Sequence, residues 1–274
     1  VTREALTAST EALRAAGVGE PRLDAELLLA EATGRDRADL TANPEAEIPP
    51  PAARRFGEMV RRRLRREPVA YILGRRGFRQ LELDVDPRVL IPRPETELLV
   101  ELALELQPRR LLDLGTGSGA IALAIAAELP GCEVIATDTS ARALEVAGAN
   151  AARLGLANRV ELIESMLPPG PTGFDLVLAN LPYVGEAEWG GLEPEVTEWE
   201  PREALLAGPD GLDVLRAAIP AVAGVAPVVA LEIGAGQAQA VSDLLLEAGF
   251  DAIETRPDLA GIARVLVGRR EDPA

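Results

Sequence analysis

Arg110-Leu111-Leu112-Asp113-Leu114-Gly115-Thr116-Gly117-Ser118-Gly119 is the stretch that decides the fold. Its first half reads as a short buried strand, and Gly115 to Gly119 turns sharply out of it. Ala120 to Leu129 then carries a helical apolar pattern, and Cys132 to Asp138 reads as a second buried strand ending in an acid. Strand, glycine turn, helix and strand together open an α/β sheet. Glycines at such a turn let a ligand approach the backbone closely. Asp138 lies 19 residues after Gly119, near the ~20-residue spacing at which an acid reaches a ribose diol.

Working outward, further strands are expected near 160–164, 174–179 and 227–233, with helices between them. Two last strands, near 250–255 and 262–268, have no helix between them and should pair antiparallel. The result is a sheet with helices on both faces, whose pockets lie at the carboxyl ends of the strands. Residues 75–92 alternate around Leu81, Leu83, Val85 and Val89 and read as a hairpin linker. Residues 1–74 read as several short helices. In the third of these, Pro51 to Arg66, one face carries Phe56, Met59, Val60 and Leu64. The other carries Arg54, Arg55, Arg61, Arg62, Arg63, Arg65 and Arg66, either a solvated face or a contact for an anionic partner.

The glycine turn alone leaves the ligand open. Gly115, Gly117 and Ala120 also satisfy the Gly-x-Gly-x-x-Gly/Ala pattern of nicotinamide-dinucleotide folds, so that cofactor and S-adenosylmethionine both fit. Asn180-Leu181-Pro182-Tyr183, at the end of the apolar run 174–179, shifts the reading to the methyl donor. Such a turn can grip a planar amino group: the Asn side-chain oxygen accepts one N–H, a backbone carbonyl accepts the other, and the Tyr ring covers the flat face. An amide nitrogen is a poor nucleophile because its lone pair is delocalised. Holding its N–H bonds turns that lone pair towards an electrophile, which is catalysis by orientation and electrostatics.

Composition narrows the chemistry. The chain has 274 residues, no His and one Cys, and its 28 basic residues are all Arg. A Ser-His-Asp triad, a His-ligated metal, a phosphate-loop or Schiff-base lysine and a zinc cluster are thereby excluded. Cys132 reads as a core residue. Net charge is −16, unevenly placed: residues 1–80 hold 15 Arg and 12 acids, residues 81–274 hold 13 Arg and 32 acids. The acidic half argues against binding along a nucleic-acid backbone. Val1 to Thr10 has no apolar signal core, and the longest apolar run, broken by Pro220, Gly224 and Pro227, is too short to span a bilayer. A soluble, cytoplasmic protein is expected, with no membrane partner.

Several blocks bring a family into view. Glu67-Pro68-Val69-Ala70-Tyr71-Ile72-Leu73-Gly74, Leu90-Ile91-Pro92-Arg93-Pro94-Glu95-Thr96-Glu97, Glu200-Pro201-Arg202, Gly208-Pro209-Asp210-Gly211-Leu212 and Leu231-Glu232-Ile233-Gly234 join the Asn-Leu-Pro-Tyr turn. With them, nearly the whole chain resembles the bacterial release factor glutamine methyltransferases of the HemK/PrmC type. The resemblance implies a seven-stranded class I S-adenosylmethionine-dependent methyltransferase sheet (Rossmann-like) at 93–274. It also implies an N-terminal helical substrate-recognition domain at 1–74, with the 75–92 hairpin between the two. The implied reaction is methyl transfer from S-adenosylmethionine, without a metal, to the glutamine amide nitrogen in the Gly-Gly-Gln motif of peptide chain release factors, an event of translation termination.

Carried over residue by residue, Gly115, Thr116, Gly117, Ser118 and Gly119 surround the methionine part of the cofactor, and Asp138 holds the ribose. Leu167 covers the adenine. Asn180 takes the glutamine amide and lies close to the cofactor, and Leu181, Pro182 and Tyr183 complete the substrate pocket. Leu181 stands where the family usually has Pro, but the group needed there is a backbone carbonyl. The acid that usually follows the third strand is replaced by Ser165-Met166, which leaves Glu164 or Ser165 to meet the adenine amino group. Two competing readings remain. One is a DNA or RNA adenine-N6 methyltransferase, since the same Asn turn fits an exocyclic amine. The other is a non-catalytic, cofactor-binding partner of the translation machinery.

Overall fold

The computed structural model describes residues 1–168 and 173–270, so positions 169–172 and 271–274 of the expected catalytic region lie outside the described residues. In chain order come helices α1 (Thr2–Ala15), α2 (Pro21–Thr33), α3 (Arg37–Ala42), α4 (Pro50–Leu64) and α5 (Val69–Leu73), then strands β1 (Arg75–Phe78) and β2 (Leu81–Asp84). There follow α6 (Glu97–Leu106), β3 (Arg110–Leu114), α7 (Ala120–Glu128), β4 (Glu133–Asp138), α8 (Ala141–Arg153), β5 (Val160–Glu164) and β6 (Leu176–Ala179). The last elements are α9 (Pro194–Thr197), α10 (Asp213–Ala223), β7 (Val228–Glu232), α11 (Ala238–Glu247), β8 (Ala252–Pro257) and β9 (Ala263–Arg269). No described helix is long and apolar enough to cross a membrane.

The chain divides into two compact units. The first joins Val1–Arg75 with Glu193–Trp199, and the second holds Arg76–Leu192 and the residues from Glu200 onward. In the first unit, α1, α2 and α4 bury Leu6, Leu13, Leu28, Leu29, Phe56 and Met59 in one core. Leu64, expected on the buried face, is 36% exposed where α4 ends. The arginine-rich side of α4 is not uniformly solvated. Arg63 is buried, 2.7 Å from Asp24 and 2.6 Å from Glu195, and Arg66 pairs with Glu193 and Glu195. Arg62 pairs with Glu67, and Arg55 with Glu31. Buried charges persist only when paired. Burial raises the Asp24 pKa against the pull of Arg63. Arg54, Arg61 and Arg65 are exposed.

The second unit is built on a seven-stranded sheet in the order β5-β4-β3-β6-β7-β9-β8. Strands β3 to β7 run parallel, and β9 is antiparallel to both β7 and β8. This is the class I methyltransferase arrangement, including the antiparallel ending that follows from the missing helix between β8 and β9. One face packs against α6 and α7, the other against α10 and α11. Helix α7 is buried from Ala120 to Ala126, so its apolar residues run all round rather than along one stripe. Phe78 and Leu83 of the hairpin share the core of β3 and α7, so this segment is part of the second unit's packing.

Strand order fixes where a ligand can sit. From β3 the chain crosses to β4 and β5 on one side, then returns to β6 and β7 on the other. A crevice opens where the order reverses, at the carboxyl ends of β3 and β6.

Candidate active site

The three sequence features stand at the ends of three neighbouring strands. Asp138 ends β4, Gly115 follows β3, and Asn180 follows β6. Leu114 is paired with Thr137 on one side and with Ala179 on the other, so the strands end level. Above them lies a cavity of about 310 Å³, within the ~300–1,000 Å³ range of small-molecule sites. Gly115, Thr116, Gly117, Ser118, Asp138, Asn180, Leu181 and Pro182 all line it.

The glycine turn is held by backbone and by two buried side chains. Gly115 and Thr116 both donate their N–H to the Thr137 carbonyl, at 2.9 and 2.8 Å. Gly117 donates to Asp138 Oδ2 at 2.9 Å, and Ser140 donates to Oδ1 at 2.9 Å. Gly115 adopts φ +81°, and a Cβ there would stand 2.8 Å from Leu181 Cδ2. The positive φ therefore strains any larger residue, and the Leu181 side chain would also have to shift. Asp113 is fully buried beneath the turn and accepts from Thr116 Oγ1 at 2.6 Å and from the Ala122 N–H at 3.1 Å. Burial pushes its pKa up to about 7, against the lowering effect of those bonds. Asn150 of α8, also fully buried, donates to the carbonyls of Ser118 and Asp84, both at 3.0 Å. Ser118, Ala120 and Ile121 line the cavity at the start of α7, where a helix leaves N–H groups unpaired.

The opposite wall is assembled from distant segments. Asn180 Nδ2 donates to Thr96 Oγ1 at 3.0 Å. Thr96 is buried, ends a 3-10 turn at Pro94–Thr96, and lines the cavity. Tyr183 is pinned at both ends: its hydroxyl lies 3.3 Å from Glu232 Oε1, and its carbonyl accepts from Gln237 Nε2 at 2.9 Å. Burial raises the Tyr183 pKa, reinforced by the Glu232 charge. Burial likewise pushes Glu232, 2% exposed, up to about 7. Gly211 adopts φ +77° directly over the Tyr183 carbonyl, which explains the Gly in that block. Glu200 accepts from the Ile91 N–H at 3.0 Å and pairs with Arg93, fixing the lead into Pro94.

Not every expected residue lines the cavity. Gly119 is outside the lining and donates its N–H to the Thr116 carbonyl. The Tyr183 ring is not in the lining, because its hydroxyl is drawn back to Glu232. Leu167 is 40% exposed and outside the lining, whereas Met166, 68% exposed, and Ser165 are in it. Glu164 is exposed and outside the lining. Sequence reasoning did not single out Thr96, Glu200, Asn150 or Gln237 as contributors. The only signal for the first two was membership of family-like blocks, and β7 register would have pointed to Glu232: Ala179 pairs with Leu231, so Asn180 and Glu232 are the next residues out.

Comparison with known proteins agrees with this geometry. The family described as PrmC N-terminal domain matches residues 4–74, and the methyltransferase small domain matches residues 94–190. The chain is 43% identical to a release factor glutamine methyltransferase of Moorella thermoacetica, covering 98% of this chain and 99% of that one. It is also 43% identical to one of Cereibacter sphaeroides, over 97% of each. Among solved structures, the hMettl16 catalytic domain in complex with a MAT2A 3'UTR hairpin is similar in fold, with TM-score 0.59 and 16% identity over 70% of this chain and 76% of that one. A human methyltransferase 10 domain containing protein aligns with TM-score 0.51 and 16% identity over 69% and 88%. These two similarities bear on the fold alone, but the full-length sequence matches go further: the chain belongs to the release factor glutamine methyltransferase family.

Proposed function

We propose that this protein transfers a methyl group from S-adenosylmethionine to the side-chain amide nitrogen of the glutamine in the Gly-Gly-Gln motif of peptide chain release factors. One observation carries the reading: Asn180, its NH₂ held by Thr96, stands at the strand end beside the glycine turn, on a shared cavity. With the NH₂ so engaged, Oδ1 is the atom left to accept from a substrate N–H.

The residues fit the methyl donor. Asp138 spends one backbone N–H on each carboxylate oxygen and keeps acceptor capacity for two ribose hydroxyls. The turn and the start of α7 suit the methionine part, whose carboxylate is favoured at a helix N-terminus. Ser165 and Met166 line the cavity beyond β5, which supports reading them, in place of Leu167, as neighbours of the adenine. When bound, S-adenosylmethionine supplies a sulfonium methyl, an electrophile that no side chain provides.

The chain's own groups do the rest by orientation. Asn180 Oδ1 accepts one N–H of the glutamine amide, and the Leu181 carbonyl accepts the other. The nitrogen lone pair would thereby be turned towards the methyl that bound S-adenosylmethionine would supply, and the proton lost from the amide nitrogen would pass to water. Neither Glu97, whose carboxylate accepts from the Arg79 N–H at 3.0 Å, nor Glu232 lines the cavity, which supports a reading without a side-chain base. The reading makes the enzyme cytoplasmic, with its protein substrate. An adenine-directed reading is not favoured by the relatives' names or by the acid excess of residues 81–274. The test is labelled methyl donor with purified release factor, a Gln→Ala factor, and DNA or RNA in separate arms. Label is expected on the intact factor alone; label on nucleic acid would contradict the proposal.

Residues 1–74 are read as the part that selects the protein substrate. Arg54 and Arg61, seven apart on one exposed side of α4, and Arg65, exposed at its C-terminal cap, suit an acidic protein surface. Reversing all three charges should raise the KM for release factor roughly 5–10-fold at low salt, about a kcal/mol in all. Cofactor affinity should not change. An unaltered KM would remove this stripe from recognition.

A further inference from the structure

We propose that the turn between β8 and β9, residues 258–262, is a docking post for the release factor. Its exposed apolar side chains, led by Leu259, seat against an apolar patch of the factor beside the Gly-Gly-Gln loop. The inference rests on the reading that the glutamine amide enters the cavity at Asn180.

Position comes first. Among the described residues of the second unit, the exposed large apolar side chains are Met166, Leu167, Leu246, Leu259 and Ile262. All but Leu246 lie at the edge of the sheet where the parallel strands end. Met166 and Leu167 follow β5, whereas Leu259 and Ile262 precede β9, which runs antiparallel and so starts at that edge. Register fixes the height. Ala179 pairs with Leu231 and Leu231 with Leu266, so Asn180, Glu232 and Val265 stand level. Ile262 is three residues further out, roughly 10 Å beyond that level. To the side, β9 is two strands from β6, again roughly 10 Å. A protein interface of ordinary size covers about 800 Å² on each partner, a disc roughly 16 Å in radius. A protein whose glutamine reaches Asn180 therefore covers this turn as well.

The turn is also built to hold an apolar group out in water. Asp258 Oδ1 accepts from the Ala260 and Ile262 N–H groups, both at 2.9 Å, and Oδ2 accepts from Arg264 Nε at 2.9 Å. The Asp258 N–H donates to the Ile262 carbonyl at 2.8 Å, and the Gly261 N–H donates to the Asp258 carbonyl at 2.9 Å. Gly261 takes φ +79°, which closes the turn. A turn cross-linked in this way has little freedom left to lose on binding. Every residue from Leu259 to Ile262 is uncharged and exposed, Leu259 fully so. A single exposed Leu is ordinary, but an uncharged run held rigid at the rim of a site that receives a protein marks an interaction surface. The two glycines of the Gly-Gly-Gln motif carry no side chain to meet it, so the complementary patch belongs to flanking residues of the factor. Leu259 and Ile262 do not line the cavity, which leaves the cofactor out of their reach.

The test uses the full chain with three substitutions. Leu259→Asp places a charge on the post, and Leu259→Met keeps it apolar. Leu246→Asp alters another exposed Leu, 51% open in the last turn of α11, which ends at the opposite edge, where β8 begins level with the start of β7. Binding is read by calorimetry with cofactor present and a Gln→Ala release factor, which accepts no methyl; the KM is read with the intact factor. In Leu259→Asp both the dissociation constant and the KM should rise about 10-fold, the worth of one buried Leu contact. Leu259→Met and Leu246→Asp should stay within about 2-fold of the parent. In all three, kcat at saturating factor, cofactor affinity and melting temperature should hold. An unchanged dissociation constant in Leu259→Asp would overturn the proposal. So would an equal rise in Leu246→Asp, or a loss of binding that tracks a fall in melting temperature. Failure of the underlying reading looks different, since the parent itself would then place no methyl on the intact factor.

Discussion

The two walls of the cavity are built on opposite principles. The wall formed by residues 113–119 and Asp138 is largely backbone: successive N–H groups fold onto the Thr137 carbonyl and the Asp138 carboxylate, and glycine supplies the conformation. The wall around Asn180 is side chain on side chain, drawing Thr96, Glu232 and Gln237 from segments up to 141 positions apart. A backbone-built wall gives a ligand many weak, uniform contacts. A side-chain wall sets the direction of a few strong ones. The first suits holding a cofactor, the second orienting a nucleophile, so damage to each should appear in different kinetic constants.

The largest effect is expected on the side-chain wall. Asn180→Ala removes one acceptor of the amide N–H and should lower kcat about 10²–10³-fold. Steady-state rates with saturating cofactor measure this, and near-normal turnover would remove Asn180 from the mechanism. On the other wall, Asp138→Ala should raise the cofactor KM roughly 10-fold or more while changing kcat less, as loss of uniform binding requires. Intact cofactor affinity with collapsed kcat would reverse the assignment of the walls.

A smaller effect sharpens the picture of what lies beneath the glycine turn. The folded pKa of Asp113, about 7, lies above the open-chain value of 3.8, so the folded state holds that proton more tightly. The stability this contributes is complete below about pH 4 and is lost as pH rises through about 7. Asp113→Asn has no such proton to lose. Its stability relative to the parent should therefore improve between pH 4 and 8, on the order of 1–2 kcal/mol, read by denaturant titration. A constant difference across that range would mean that Asp113 is charged throughout.

The same contrast explains what could be read from the chain. The glycine turn, Asp138 and Asn180 were legible because each directly follows an apolar strand, and strand ends in a parallel sheet share one edge. The parallel order and the antiparallel close followed from the presence or absence of intervening helices. Thr96 was quoted only within a block, since its bond to Asn180 depends on where a short 3-10 turn places it. Leu167 and Met166 differ by one position after β5, and alternation could not say which would face the cavity. The arginines of α4 were misread as one face because their partners, Asp24 and Glu195, lie 39 and 132 positions from Arg63. Helix α5 was too short for periodicity to register.

The central claim, that the two walls act separately, is tested most directly by a double-mutant cycle on kcat/KM with Asp138→Ala, Asn180→Ala and the pair together. Their strands are separated by β3, roughly 10 Å apart at the ordinary strand spacing. At that distance the two losses should multiply, leaving a coupling free energy within about 0.5 kcal/mol of zero. A coupling of more than about 1 kcal/mol would contradict the account, because it would mean that holding the cofactor and orienting the amide are one task shared by both walls.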